Sequence, residues 1–208
     1  MKTHGVKTHG VNKRVGILAL QGDFEAHAQA LARAGAEPVL VRTAAGMETV
    51  DGLIIPGGES TTMLKLLELM DLKEALRRFA ARRPVFGTCA GAILLAAEVR
   101  NPAQECFALL DLTVERNAYG RQIASSIAQL EPAAAFEQRA GAGTLEAVFI
   151  RAPIIRRTGP EVHVLAEYKG NPVLVEQGRH VVATFHPELT QDSRVHELFL
   201  AKISPETI

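Results

Sequence analysis

Cys89 stands in the segment Gly87-Thr88-Cys89-Ala90-Gly91, after the apolar pair Val85-Phe86 and before an alanine- and leucine-rich stretch. This is a G-x-nucleophile-x-G elbow with cysteine in the place of serine, and its context predicts a strand that turns sharply into a helix. A tight turn needs small flanking residues, which let the thiol project at the edge of the sheet. The helix that follows aims its N-terminus at the sulfur and favours thiolate. The Ala90 N–H then falls where it can bind an oxyanion. The plainer reading is a small buried cysteine in a glycine-rich turn. The chemistry of the elbow reading is nucleophilic attack on an acyl carbon, and that chemistry needs a base.

Seven histidines are candidates. His4 and His9 lie in an N-terminal tail, His27 in the first predicted helix, His163 and His180 near predicted strand ends, and His196 on the last helix. His186 differs, because Phe185-His186-Pro187-Glu188 ends a predicted strand. In extended chain, residues i and i+2 point the same way. Glu188 is therefore expected beside His186, orienting the imidazole as the third member of a triad does. Taken alone, the motif reads equally as a solvated strand end. The other cysteine, Cys106, has no elbow and no nearby histidine, and it reads as structural.

Pro56-Gly57-Gly58-Glu59-Ser60 follows a third predicted strand. Carboxyl ends of parallel strands converge on the crevice where α/β proteins bind ligands. Two glycines let the backbone approach a ligand closely, and the Gly58 N–H is a candidate oxyanion donor. The same segment also reads as a turn and helix cap, with Ser60 as the cap. Arg116, within Arg116-Asn117-Ala118-Tyr119-Gly120-Arg121-Gln122, and Arg151, within Phe149-Ile150-Arg151-Ala152-Pro153, each end an apolar segment. Either can hold a carboxylate with its fork of donors, or form a surface ion pair. No phosphate-binding loop and no dinucleotide fingerprint occurs, so no nucleotide site is assigned.

The elements that must position these groups alternate. Val15 to Leu20, Pro38 to Val41, Leu53 to Ile55 and Val85 to Gly87 read as buried strands. Between them, Asp23 caps a helix that buries Phe24, His27, Ala28 and Leu31 and stops at Gly35. A leucine-rich helical stretch runs from Ser60 to Arg83, with an interruption near Asp71. A helix from Ala90 to Glu98 follows the elbow. Alternation of this kind implies a parallel sheet covered on both faces. Val164 to Tyr168, Val173 to Gln177 and Val181 to Phe185 then read as an antiparallel meander. A last helix covers Arg194 to Ile203, and Pro132 to Gly143 reads as a surface connection.

The chain has 208 residues, 47% of them apolar and 22% charged, with a formal net charge of zero. That is enough for one domain with a real core, taken as residues 15–208 behind an N-terminal extension over 1–14. The extension contains a tandem duplication, Lys2-Thr3-His4-Gly5-Val6 repeated as Lys7-Thr8-His9-Gly10-Val11. It is expected to be a frayed tail rather than a metal site. No basic excess points to nucleic acid or an anionic membrane surface. No apolar run approaches the roughly 20 residues of a membrane span. Two cysteines without a secretory signal suggest reduced thiols in a cytoplasm.

These motifs together resemble the glutaminase subunits of pyridoxal 5′-phosphate synthase, a branch of the class I, triad-type glutamine amidotransferases. The resemblance is carried by Gly16-Ile17-Leu18-Ala19-Leu20-Gln21-Gly22-Asp23, Pro56 to Thr62, the elbow, Arg116 to Gln122, Phe149 to Pro153 and Phe185-His186-Pro187-Glu188-Leu189-Thr190. It implies a flavodoxin-like three-layer α/β/α fold, with a mostly parallel central sheet and the added antiparallel meander. It carries the nucleophile onto Cys89, the base onto His186 and the orienting carboxylate onto Glu188. It places glutamine contacts at Gly58, Glu59, Ser60, Arg116, Ile150 and Arg151. The activity implied is hydrolysis of L-glutamine to L-glutamate and ammonia through a thioester, without metal or cofactor. The implied partner is the synthase subunit that joins the ammonia to ribose 5-phosphate and glyceraldehyde 3-phosphate. The segment Ile123-Ala124-Ser125-Ser126-Ile127 departs from the acidic and aromatic continuation of that family. Three alternatives remain at this level: a glutaminase serving another synthase, a related cysteine hydrolase, and a non-catalytic regulatory subunit.

Overall fold

The computed structural model describes residues 13–116 and 125–203. The duplicated N-terminal segment, the cluster from Asn117 to Gln122, and Ile123 and Ala124 lie outside the described residues. In chain order the first half comprises β1 (Arg14–Leu18), α1 (Phe24–Arg33), β2 (Glu37–Val41), α2 (Ala44–Glu48), β3 (Gly52–Ile55), α3 (Ser60–Leu69), α4 (Lys73–Arg82), β4 (Val85–Thr88) and α5 (Ala90–Leu95). Next come β5 (Ala96–Arg100), β6 (Leu110–Glu115), β7 (Ser125–Leu130), α6 (Ala134–Ala140), β8 (Leu145–Ile150) and β9 (Ile154–Thr158). The chain continues through β10 (His163–Tyr168), β11 (Asn171–Gln177), β12 (His180–Ala183), a 3-10 turn at Pro187–Leu189 and α7 (Arg194–Leu200).

Seven strands form the central sheet in the order β2-β1-β3-β4-β12-β11-β10. The first five are mutually parallel, and β11 and β10 add antiparallel pairing at one edge. Counting only the parallel strands, the order is 2-1-3-4-5, that of flavodoxin-like folds. β12 belongs both to the meander and to the parallel core, which brings the end of the meander beside the elbow strand. Alternation sorts the side chains into two layers. Leu53 and Ile55 pack into the cluster that holds Met63, Leu67, Leu76, Phe79 and Leu94. Ile54 packs into the one that holds Leu31, Phe136, Val195 and Phe199. Helices α3, α4 and α5 thus cover one face, and α1, α6 and α7 the other, giving the three-layer fold. No helix among the described residues is long and apolar enough to cross a membrane.

The Asp23 side chain accepts a hydrogen bond from the Ala26 N–H at 3.2 Å, as its capping position predicts. The long leucine-rich stretch divides at Asp71, whose φ is 53°. Elsewhere the structure departs from the expectations. The helix after the elbow stops at Leu95, and Ala96–Arg100 pairs instead with β6 in a second sheet, β5-β6-β9. β7 and β8 form a separate antiparallel pair. The expected surface connection contains α6, which buries Phe136 completely. The last helix ends at Leu200 rather than Ile203.

Candidate active site

Three neighbouring parallel strands end at one level. Ile55 pairs with Gly87, and Ala183 with Thr88. Just past these pairs lie Gly57 and Gly58 after β3, Cys89 after β4 and His186 after β12. The parallel register therefore gathers groups that are far apart in sequence. β8 approaches from the side: its Val148 carbonyl accepts from the His186 N–H at 2.8 Å. The Ile150 carbonyl lies 3.8 Å from the Cys89 sulfur.

Cys89 has φ 48° and ψ −100°, a conformation that L-residues rarely occupy. Such a backbone costs on the order of 1–3 kcal/mol and persists only where its surroundings enforce it. Here the Cys89 N–H donates to the Ala183 carbonyl at 2.9 Å, and its own carbonyl accepts from Ile93 at 3.3 Å. The small residues of the elbow are needed for packing. A Cβ on Gly91 would lie 2.2 Å from the Ile55 carbonyl oxygen, a backbone atom that cannot swing away. Ala90 is buried at the first position of α5. That helix has six residues, shorter than predicted, and its contribution to the field at the sulfur is correspondingly local.

His186 is 7% exposed and Glu188 4%. The His186 Nδ1 lies 2.7 Å from Glu188 Oε1. The carboxylate reaches the ring by a route other than the one predicted. Glu188 sits in the 3-10 turn Pro187–Leu189, so the two side chains meet across a tight turn and not along an extended strand. Burial disfavours a charged ring, yet Cys89 and Glu188 outweigh it and raise the His186 pKa to about 10. Burial pushes the Glu188 pKa up, but His27 and His186 hold it below its ordinary value. Gly57 packs against the imidazole, and a Cβ there would lie 2.5 Å from His186 Cε1.

A cleft of about 320 Å³ opens at this point. Of the residues singled out in the sequence, Gly58, Glu59, Ser60, Cys89, Arg116, Ile150, Arg151 and His186 line it. Glu188 lies behind His186, and neither it nor Ala90 is in the lining. Gly22, Asp23 and Ile93 also line it and were not singled out as site residues. The first two follow β1, next to β3, at the switch point where this fold class binds ligands; that signal was available in the strand order. Gln21 secures the neighbouring loop by donating from Nε2 to the Glu59 carbonyl at 2.5 Å.

The cap of α3 is Glu59, not Ser60. The Glu59 carboxylate accepts from the N–H groups of Thr61 and Thr62 at 3.0 and 2.7 Å and from the Thr62 hydroxyl at 2.8 Å. The Ser60 hydroxyl instead donates to Gln104 at 2.9 Å. Arg116 donates to Glu59 and to the Thr61 hydroxyl, each at 3.0 Å. Partial burial opposes ionisation of Glu59, but hydrogen bonds from Thr62 and Thr61 dominate and lower its pKa from 4.5 to about 2. A depressed carboxyl pKa stabilises the fold above the unfolded value and ceases to do so as pH falls through the folded one. Glu59→Ala should therefore cost about 1 kcal/mol near neutrality, since solvent screens a half-exposed group. The gap to the unsubstituted protein should narrow between pH 4.5 and about 2. Urea unfolding across that interval checks this, and a pH-independent gap would refute the capping role.

A thiol, an imidazole and a buried carboxylate in sequence, beside a cleft with backbone N–H groups, suit acyl transfer through a covalent thioester. The chain is also similar to known proteins. The chain is 63% identical over 191 residues to the pyridoxal 5′-phosphate synthase subunit PdxT of Solibacter usitatus, covering 92% of this chain and all of that one. It is 47% identical to the PdxT of Thermotoga maritima, covering 91% and 99% of the two chains. A solved glutamine amidotransferase superposes with a TM-score of 0.82 at 45% identity, over 91% of this chain and 98% of that one. Residues 17–204 match the SNO glutamine amidotransferase family, and the chain belongs to that family.

Proposed function

We propose that Cys89, His186 and Glu188 hydrolyse L-glutamine to L-glutamate and ammonia, and that the chain is the glutaminase subunit of a pyridoxal 5′-phosphate synthase. The family and the PdxT relatives support the activity and its place in vitamin B6 synthesis. One observation carries the residue assignment. His186, backed by Glu188 at 2.7 Å, shares with the elbow cysteine the cleft that also gathers Gly58, Glu59, Ser60, Arg116, Ile150 and Arg151.

In the reaction, the Cys89 thiolate attacks the side-chain amide carbon of glutamine. The Gly58 and Ala90 N–H groups receive the oxyanion. His186 protonates the leaving ammonia, and a thioester remains. The charged sulfur that helped hold the proton on His186 is then gone. Burial is then opposed only by Glu188, the pKa of the ring falls, and the neutral imidazole is free to take a proton from water for hydrolysis. Glu59, Ser60, Arg116, Ile150 and Arg151 form the substrate contacts of this reading. Arg116 can take the glutamine carboxylate by sharing the fork that now holds Glu59.

Ammonia released into water protonates and diffuses away, so a synthase subunit is the partner that makes the reaction useful. The Gly57-Gly58 pair offers a means of control, because the peptide between two glycines rotates at low steric cost. One orientation presents the Gly58 N–H to the oxyanion; the other presents a carbonyl. Losing one such donor costs about 2.7–4 kcal/mol, roughly a hundred- to a thousand-fold in rate. Ammonia release from glutamine is therefore expected to be slow for the chain alone and to rise by about that factor as synthase subunit is titrated in. Full activity alone, unchanged at saturating partner, would reject the gating. No release at any partner concentration would reject the glutaminase reading.

A further inference from the structure

Behind Glu188 lies a buried run of polar groups that this reaction leaves unused. His27 on α1 and His196 on α7 are both fully buried. His27 Nδ1 is 3.2 Å from His196 Nε2. His27 Nε2 is 3.0 Å from the Thr88 hydroxyl oxygen and 3.4 Å from Glu188 Oε2. Burial lowers the pKa of both rings, that of His196 to about 3. Each is therefore neutral near pH 7, with one nitrogen donating and the other accepting.

Which nitrogen of His27 donates follows from its neighbours. Glu188 commits Oε1 to His186, while Oε2 is buried and makes no hydrogen bond. An ionised carboxylate only accepts, and His27 Nε2 is the group turned towards that oxygen. A proton on Nε2 leaves Nδ1 to accept, so His196 must donate from its own Nε2 and keep Nδ1 bare. His196 Nδ1 is the atom of that ring without a partner. The opposite tautomer would set a lone pair against the carboxylate and bury an N–H on His196 Nδ1 with nothing to receive it. Buried orphan N–H groups are the rarer and costlier defect.

We propose that His27, in its Nε2–H tautomer and backed by His196, is a positioning residue that holds the Glu188 carboxylate against His186. At 3.4 Å the contact exceeds the usual N–H···O length, so it acts through the ring dipole between two fully buried groups. Thr88, which directly precedes Cys89, shares the same N–H and ties the run to the elbow. The inference rests on the triad reading of the site.

The test is glutamine turnover with saturating synthase subunit. His27→Leu removes the donor, and kcat should fall on the order of tenfold, by analogy with the outer partners that orient metal-bound histidines. KM for glutamine should be unchanged. His27→Gln can restore an N–H near the Nε2 position and should recover most of the loss. Wild-type kcat in folded His27→Leu, a loss confined to KM, or His27→Gln no better than His27→Leu would each overturn the proposal. Imidazole 15N spectra of the unsubstituted chain decide it even if the variants do not fold. His27 protonated on Nε2 supports the proposal, and His27 protonated on Nδ1 refutes it. Activity surviving in Cys89→Ala would instead remove the reaction on which the inference rests, whatever His27 does.

Discussion

Cys89→Ala is expected to lower ammonia release by at least about ten-thousand-fold, because loss of the nucleophile removes the covalent route and leaves only binding and the oxyanion site. The fold should survive. Alanine keeps the Cβ and the same backbone demands, so the positive φ at this position costs no more than before. The sulfur gives up a weak contact with the Ile150 carbonyl at 3.8 Å and its interaction with His186. A stability change below about 1 kcal/mol is expected. The assay is glutamine turnover with synthase subunit present, alongside a thermal melt. Near-normal turnover in a folded Cys89→Ala protein would end the thioester mechanism.

The elbow was legible because its constraints are local. Small residues at 87, 90 and 91, a preceding apolar strand and a following helix all appear within a few positions. The central strands were legible for a similar reason: buried parallel strands are short apolar runs bounded by turn signals. The segments after Leu95 carried no such signal. Ala96-Ala97-Glu98-Val99 shows neither alternation nor turn residues and continues a helical pattern without a break. It becomes a strand because β6 lies alongside to pair with it. Tertiary pairing overrode propensity there. The short helix α6 was hidden in a stretch rich in alanine and glycine, where a single buried aromatic, Phe136, fixes it to the core.

The site divides in the same way. Residues on loops that end parallel strands could be grouped from the order of motifs alone. The alternative reading of Ser60 as the cap follows from serine being a preferred N-cap residue, which glutamate is not; only the bonds from Thr61 and Thr62 identify Glu59. His27 could not be connected to the site from sequence. Its helical period accounts for its burial, while its partners Thr88, Glu188 and His196 come from three other elements. Burial periodicity says which face of a helix is inside and nothing about what meets it there.

His186→Asn should reduce turnover by about four to six orders of magnitude, and Glu188→Gln by one to two orders less. The imidazole moves protons in both halves of the reaction, whereas the carboxylate fixes its tautomer and stabilises its charge. Asparagine is the informative substitution because its amide N–H can still reach Glu188. Removing that donor outright would strand a buried carboxylate and cost about 3–5 kcal/mol. Glu188→Gln meets a different problem. Its side chain has one acceptor oxygen, but His186 Nδ1 and His27 Nε2 both present N–H groups to it. If the oxygen faces His186, its NH2 group opposes the His27 N–H; if it faces His27, the NH2 group opposes His186 Nδ1 and forces that ring into the wrong tautomer. Either arrangement keeps a partly working imidazole, which is why the loss is large but smaller than for His186→Asn. Initial rates of both folded variants at saturating synthase subunit measure the difference. A greater loss from Glu188→Gln would mean that the carboxylate does more than orient the ring, and the roles of base and support would have to be reassigned.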